Sequence, residues 1–158
     1  MISCEFENGN KALRGLRHVT VGAIVVNEKN EVLLVKRAAD MHNGGKFTIP
    51  GGFLDRDETT AQATLRELRE ETGYDGEIVC LFRINDNPNR PKEDRQNVDF
   101  LYIVKAVGGN ATVNEEVTNI GWFSKHNVPK EEEFAFDHRK AIMTYFEYLE
   151  KKFPLPIL

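Results

Sequence analysis

The segment from Pro50 to Tyr74 restricts the fold more than any other part of the chain. Thr59, with Gln62 three residues later, has the capping-box pattern that begins a helix, and Gly73 suits the left-handed residue that follows one. The residues just before, Pro50-Gly51-Gly52, predict that a strand ends there in a sharp turn. A strand, a turn and a helix of about four turns are therefore expected in direct succession.

The predicted helix has an apolar side and an acidic side opposite it. Ala61, Leu65 and Leu68 share the apolar side, and three glutamates three and four positions apart share the other. These glutamates are Glu67, Glu70 and Glu71. Because neighbouring like charges repel each other and the helix dipole is negative at this end, the acidic side needs a compensating cation. Arg66 and Arg69 could neutralise a solvated face, or the carboxylates could bind a hard divalent cation.

The spacing of the surrounding residues favours the metal site. Gly52 is followed after five residues by Glu58, and after seven more by Arg66-Glu67-Leu68-Arg69-Glu70-Glu71-Thr72-Gly73-Tyr74. This pattern resembles the Nudix box, GX5EX7REUXEEXGU, in which U is a bulky apolar residue. Tyr74 stands where Ile, Leu or Val is commoner, and it is still bulky. The resemblance implies metal-dependent hydrolysis of a pyrophosphate bond, with Mg²⁺ as the cofactor and Mn²⁺ as a substitute.

The resemblance also implies roles for individual residues. The expected metal ligands are Glu67, Glu70, Glu71 and the main-chain carbonyl of Gly51. Arg66 is expected to hold the carboxylates in place, with Glu58 as its partner, which completes a candidate catalytic set with Glu67 and Glu70. The alternative for Glu58 is an exposed glutamate that complements the helix dipole. The general base stays open among Glu67, Glu70, Glu115, Glu116 and the glutamates at 131–133.

Residues outside the box are expected to set the substrate. Arg37 could meet a phosphate or be a solvated arginine at a strand end, and Phe47 could stack on a base or pack in the core. The polar loop 86–96 is similar to a loop of ADP-ribose pyrophosphatases, in which Arg90 or Arg95 could reach a ribose or phosphate. Loop residues of this kind also occur without any function.

These features lead to three hypotheses about function. The first is a hydrolase of a nucleoside diphosphate linked to another moiety, with ADP-ribose favoured. The second is a nucleoside triphosphate pyrophosphatase that sanitises the nucleotide pool. The third is a Nudix-fold nucleotide sensor without catalysis, which is disfavoured because such relatives generally lose box residues that are present here.

Composition and length indicate one domain over residues 1–158. The net charge of −4 gives no general attraction to nucleic acids or anionic membranes. The resemblance implies a small nucleotide or nucleotide sugar as the partner, with a homodimer possible. No apolar run approaches the roughly 18 residues of a membrane-spanning helix. Cys4 and Cys80 form no CxxC pair, which suits a reducing compartment, and we expect a cytoplasmic protein.

Patterns elsewhere predict the remaining elements. A hairpin is expected over residues 17–26 and 31–37, a short strand over 46–49, and strands over 77–84, 98–107 and 117–123. A last helix over 138–151 has an apolar stripe made of Ile142, Tyr145, Phe146 and Leu149. The predicted fold class is therefore α/β, and the resemblance implies the Nudix-type α/β/α sandwich with a mixed β-sheet.

Overall fold

The computed structural model describes residues 17–93 and 96–158, so Cys4 and the predicted substrate contact of Arg95 lie outside the described residues. Within these ranges the chain forms seven β-strands and two α-helices. The strands are β1 (His18–Val26), β2 (Val32–Arg37), β3 (Phe47–Thr48), β4 (Gly51–Phe53), β5 (Tyr74–Asn85), β6 (Asn97–Gly109) and β7 (Val117–Phe123). The helices are α1 (Thr60–Thr72) and α2 (His138–Glu150).

All of these strands belong to one mixed sheet. Its main path runs β3-β2-β1-β6-β5, while β4 pairs with β1 and β7 pairs with β2. Strands β1 and β6 are parallel along their whole shared length, and the other pairs are antiparallel. The long parallel pair places the start of β1 beside β4, which leads through a short loop into α1. The predicted mixed sheet is confirmed.

The two faces of the sheet carry separate apolar cores. Ala23 and Val25 of β1 pack with Leu68 of α1 on one face, whereas Ile24 packs with Ile142 of α2 on the other. Successive residues alternate in this way because strand side chains point to opposite faces. The predicted α2 stripe lies in the second core, where Ile142, Tyr145 and Phe146 are buried and Leu149 packs against them. The α/β/α sandwich is thus confirmed.

Helix α1 has the ends that its sequence predicts. The Thr59 N–H donates to the Gln62 side chain at 2.8 Å, and the Gln62 N–H donates to the Thr59 hydroxyl at 3.3 Å. Gly73 is left-handed at φ 72°, and its N–H donates to the Arg69 carbonyl. Glu71, on the predicted acidic side, is buried, unlike the exposed Glu70. Its helical turn is the one that faces β4.

Two boundaries also differ from the prediction. Strand β5 begins at Tyr74, directly after Gly73, and not at residue 77. Residues 51–53, predicted to end a strand, form β4, in which Gly51 lies opposite Gly22 of β1. A Cβ at Gly51 would lie 2.2 Å from the Val21 carbonyl oxygen, so the close approach of these two strands requires glycine. The turn residues therefore also serve as strand residues.

Candidate active site

Strand β4 brings the box glycines against two glutamates of α1. The Gly51 N–H donates to Glu71 Oε2 at 3.0 Å. A Cβ on Gly52 would lie 2.5 Å from Glu67 Oε1, so the missing side chain leaves room for that carboxylate. The two glycines thus allow the backbone of β4 to lie directly against the acidic end of the helix.

Arg66 connects the carboxylates of the box. Its Nε and Nη2 donate to the two oxygens of Glu58 at 3.1 and 2.7 Å, which is a bidentate pair. Its Nη1 donates to Glu67 Oε1 at 2.8 Å and to Glu70 Oε2 at 3.1 Å. The hydrogen bond with Arg66 lowers the pKa of Glu58, and the bond with Glu58 raises the pKa of Arg66. The predicted pairing of Glu58 with Arg66 is present.

The buried glutamates carry charge that the protein compensates only in part. Burial raises the pKa of Glu71 to about 8, and the carboxylates of Glu67 and Glu116 act in the same direction, against the Gly51 N–H and Arg37. Burial also raises the pKa of Glu67, although Arg66 opposes it. Both shifts mean that the ionised carboxylates are disfavoured here, and a bound cation would offset this by favouring the ionised form.

The donor chemistry of this end of α1 fits a hard divalent cation, which takes carboxylate and carbonyl oxygens. In the described part of the chain, no three His, Cys, Asp or Glu side chains are yet arranged to hold a metal by themselves. Arg66 occupies one oxygen each of Glu67 and Glu70, and Gly51 occupies one of Glu71. The oxygen ligands therefore suit a divalent cation, and in this structure they accept hydrogen bonds from Arg66 and the Gly51 N–H.

A cavity of about 780 Å³ opens over the glutamates. Its wall combines the acidic end of α1 with the start of β1, the loop 41–42, the loop 90–93, the residues before β7 and the start of α2. The predicted site residues on this wall are Gly51, Glu67, Glu70, Glu71, Arg37 and Arg90. One space thus joins the metal-ligand candidates to two of the predicted substrate residues.

Arg37 and Arg90 have different surroundings in this cavity. The Arg37 Nε donates to the His42 carbonyl, and the charge of Arg37 acts on Glu71. Arg90 is held by Asp137 at 2.6 Å, Glu93 at 3.2 Å and Asp99 at 3.6 Å. Burial, which alone lowers the pKa of Arg90, is outweighed by these carboxylates, which raise it. Protein carboxylates therefore already neutralise the charge of Arg90. Its contact with a substrate ribose or phosphate stays a prediction.

Phe47 is not among the described residues that line the cavity. Its ring packs edge-on against Phe123 at 5.6 Å and tilted against Phe134 at 6.3 Å, and it belongs to the core on the α2 side. Of its two predicted alternatives, core packing is the one observed. β3 places this side chain in the core on the α2 side of the sheet, away from the cavity wall.

The aromatic wall of the cavity comes instead from Phe136, which the sequence did not single out. Its ring centroid lies 5.7 Å from the Arg37 guanidinium and 5.6 Å from that of Arg90. Phe136 has a positive φ of 51°, an unusual value for a residue other than glycine. The only sequence signal is the aromatic residue just before the predicted start of α2.

The neighbouring Asp137 and His138 fix the start of α2 beside the cavity. Asp137 accepts from Arg83 at 3.0 Å and Arg90 at 2.6 Å. His138 Nδ1 accepts the Ile49 N–H at 3.4 Å and lies 2.6 Å from the Thr48 hydroxyl. Burial lowers the pKa of His138 to about 3, with Arg90 acting in the same direction, so this imidazole is neutral. Its two contacts join the start of α2 to β3 and to Ile49.

The downstream glutamates divide into two groups. Glu115 and Glu116 line the cavity, and Glu116 acts electrostatically on both Glu67 and Glu71. Glu131–Glu133 form an exposed 3-10 turn that is absent from the cavity wall among the described residues. The structure therefore narrows the downstream candidates for the general base to the first group.

Glutamates at a helix end beneath a cavity can hold a divalent cation of the kind that assists phosphoanhydride hydrolysis. A model of the NUDIX domain matches residues 16–145, and the chain belongs to the Nudix domain family. It is a Nudix hydrolase with pyrophosphatase activity, and enzymes of this family generally use divalent metal ions. No helix in the described ranges has the length and apolar character needed to cross a membrane.

Similar proteins carry two different substrate names. The ADP-ribose pyrophosphatase of Methanocaldococcus jannaschii is 30% identical over 124 residues, which cover 78% of this chain and 70% of that protein. The 8-oxo-dGTP diphosphatase of Escherichia coli is 44% identical over 64 residues, which cover 40% of this chain and 49% of that protein. The crystal structure of an ADP-ribose pyrophosphatase from Streptococcus suis matches with a TM-score of 0.72 at 20% identity, covering 90% of this chain and 98% of the other. That last likeness concerns the fold alone.

Proposed function

We propose that the chain hydrolyses the pyrophosphate bond of a nucleoside diphosphate linked to another moiety, with ADP-ribose as the preferred substrate. The observation that carries this proposal is the single cavity joining the α1 glutamates to Arg37, Phe136 and the loop that holds Arg90. Its volume of about 780 Å³ leaves room for groups on both sides of a pyrophosphate. The similarity to the ADP-ribose pyrophosphatase of M. jannaschii supports the same substrate.

The acidic end of α1 is the proposed metal site. Glu67, Glu70, Glu71 and the Gly51 carbonyl would hold Mg²⁺, for which Mn²⁺ could substitute. A divalent cation there supplies charge that stabilises the phosphate oxygens during hydrolysis. Arg66, fixed by Glu58, holds Glu67 and Glu70 on the cavity side and limits their mutual repulsion.

Glu116 is the proposed general base. A water that attacks phosphorus must lose a proton, and a carboxylate beside the pyrophosphate can accept it. Glu116 lines the cavity and lies close enough to Glu67 and Glu71 to raise the pKa of each. It belongs to the segment before β7 and not to α1, so its part of the cavity wall is separate from that of the helix.

Arg37 and Phe136 form the proposed recognition wall. Arg37 brings a positive charge to a cavity rich in carboxylates, where it can pair with a substrate phosphate. The ring of Phe136 offers an apolar surface on which a base or ribose can pack. Arg90 is assigned to fixing this wall, because its guanidinium binds Asp137 and lies beside the ring.

A nucleoside triphosphate pyrophosphatase is the second candidate. The observation that favours it is the 44% identity to the E. coli 8-oxo-dGTP diphosphatase over 64 residues. The two candidates differ in their products. ADP-ribose would give AMP and ribose phosphate, whereas a triphosphate would give a monophosphate and pyrophosphate.

A substrate panel with Mg²⁺ or Mn²⁺ tests both candidates. It should contain ADP-ribose, nucleotide sugars, dinucleotides, the common triphosphates and 8-oxo-dGTP, with products separated by anion-exchange chromatography. We expect the highest kcat/KM for ADP-ribose and its loss in Glu70→Gln. A higher value for a triphosphate would replace the first candidate with the second, and no turnover on any compound would favour the nucleotide sensor. Light scattering of the same samples tests the expected homodimer.

A further inference from the structure

The loop between β6 and β7, residues 110–116, is fastened to the last turn of α1. The Thr112 N–H donates to the Thr72 carbonyl at 2.9 Å, and the Asn114 Nδ2 donates to the Glu70 carbonyl at 3.1 Å. Carbonyls in the last turn of a helix have no partner within the helix. Through these bonds the loop satisfies carbonyls of the same turn that carries the box glutamates.

Asn114 also shapes the loop on its other side. Its Oδ1 accepts the N–H of Glu116 at 2.9 Å and the N–H of Val117 at 3.0 Å. The Glu116 carbonyl in turn accepts the Ala38 N–H at 2.8 Å. The backbone of Glu116 is thus held at both its N–H and its carbonyl, and one amide side chain ties it to Glu70.

We infer that Asn114 is a positioning residue that sets the Glu116 carboxylate relative to the glutamates of α1. This inference rests on the proposed role of Glu116 as the general base. Asn114 is exposed and lies outside both apolar cores, so its three hydrogen bonds contribute little to global stability. Their effect is local, because one bond joins the loop to Glu70 and the other two hold the backbone at Glu116 and Val117.

A double-mutant cycle on the best substrate of the panel tests this coupling. The variants are Asn114→Ala, Glu116→Gln and the two combined, with Asn110→Ala as a matched control at an exposed asparagine of the same loop. We expect Asn114→Ala to lower kcat about tenfold with KM within twofold and Tm within about 4 °C. In the Glu116→Gln background the same change should lower kcat no further, because residues that act through one group are not additive.

A second measurement does not depend on turnover. Mn²⁺ binding to the substrate-free protein, followed by electron paramagnetic resonance, should weaken about threefold in Asn114→Ala and in Glu116→Gln, without a further loss in the double variant. The carboxylate contributes to the attraction for the cation only when the loop holds it near α1. Asn110→Ala should bind Mn²⁺ like the unmodified chain.

The outcomes separate this inference from the function on which it rests. Full activity in Glu116→Gln would remove the proposed base and this inference with it. A slow Glu116→Gln beside a fast Asn114→Ala would overturn the inference alone. Equal losses from Asn114→Ala in both backgrounds would also overturn it, because Asn114 would then act independently of Glu116.

Discussion

The backbone N–H of Gly51 donates to the carboxylate of Glu71 across 3.0 Å, which joins β4 to the buried last turn of α1. This hydrogen bond is the protein's direct compensation for a carboxylate that burial pushes toward its neutral form. Glu67 and Glu116 add negative charge nearby. The site therefore holds an acidic group in an interior where water cannot solvate its charge. This carboxylate contributes more to the binding of a cation than to the stability of the metal-free fold.

Replacing Glu71 by glutamine should separate activity from stability. The amide oxygen can still accept the Gly51 N–H, but the buried ionisable group is gone. The free energy of unfolding of the metal-free variant should therefore rise by about 1 kcal/mol, which is about 2–4 °C in Tm. Hydrolysis should fall on the order of 10²-fold. Calorimetry at pH 8 with EDTA and steady-state kinetics with Mg²⁺ measure the two effects.

Glu77→Gln is the matched control for this prediction, since Glu77 is an exposed glutamate on β5. It should leave both Tm and kcat/KM unchanged. A Glu71→Gln variant that hydrolyses as fast as the unmodified chain would contradict the placement of the metal site.

Replacing Arg66 by lysine should show whether its planar fork matters beyond its charge. Lysine has one ammonium group and cannot reproduce the bidentate pair with Glu58 together with the contacts to Glu67 and Glu70. We expect kcat/KM to fall by about 10- to 100-fold and the apparent Mg²⁺ affinity to weaken. Titration of activity with Mg²⁺ measures both.

Arg69→Lys provides the comparison on the same helix. Arg69 is 74% exposed and pairs with Asp75 at 3.0 Å on the surface. Its replacement should change the kinetics little, because exposed ion pairs contribute little. Equal losses of kcat/KM in the two variants would mean that replacing either arginine of α1 has the same effect. The contacts of Arg66 with the box glutamates would then not explain its loss.

The ends of α1 could be predicted from sequence because each depends on neighbours a few residues apart. Thr59 meets Gln62 three residues later, and Gly73 closes the turn on Arg69. The pairing of Glu58 with Arg66 was likewise accessible, since both belong to one spaced pattern with a known family resemblance. The apolar stripe of α2 followed from helical periodicity for the same local reason.

The rest of the site depends on contacts between distant parts of the chain. Glu71 is buried because β4 lies against α1, and the Gly51 that contacts it is 20 residues earlier in the sequence. Arg90 looked available for a phosphate, yet Asp137, 47 residues further on, already binds it. Phe136 lines the cavity and has a left-handed backbone, which no periodic pattern indicates. Such features follow from topology and not from local propensity.

His138 should make the stability of the fold depend on pH. Its pKa is lowered from 6.5 to about 3 in the folded state, so below pH 6.5 the unfolded chain binds a proton there that the folded chain does not. The contribution of His138 is therefore fully present above that pH and is lost as pH falls, by at most about 1.4 kcal/mol per unit. Glu71, whose pKa is raised to about 8, shifts stability in the opposite direction over the same range. Urea unfolding between pH 7 and 4.5 measures the slope.

His138→Asn should remove this contribution, because asparagine can accept the Ile49 N–H without titrating. The slope of its stability against pH should differ from that of the unmodified chain by up to about 1.4 kcal/mol per unit, with less stability lost as pH falls. The exposed His126 supplies the control, and His126→Asn should keep the slope of the unmodified chain. The interval stops at pH 4.5 because Asp137, whose pKa is lowered by Arg90, His138 and Arg83 against the effect of burial, titrates only below it. Parallel slopes for all three proteins would contradict the assignment.

Phe47 and Phe136 should respond in opposite ways to the same replacement by leucine. Phe47 packs between Phe123 and Phe134, so Phe47→Leu should lower the free energy of unfolding by about 1 kcal/mol and leave KM unchanged. Phe136 contributes its ring to the cavity wall, so Phe136→Leu should raise KM about three- to tenfold with little change in stability. Paired denaturation and kinetic measurements make each variant the control for the other, and a raised KM in Phe47→Leu alone would reverse the two assignments. In that case the aromatic wall of the cavity would come from β3 and not from the residues at the start of α2.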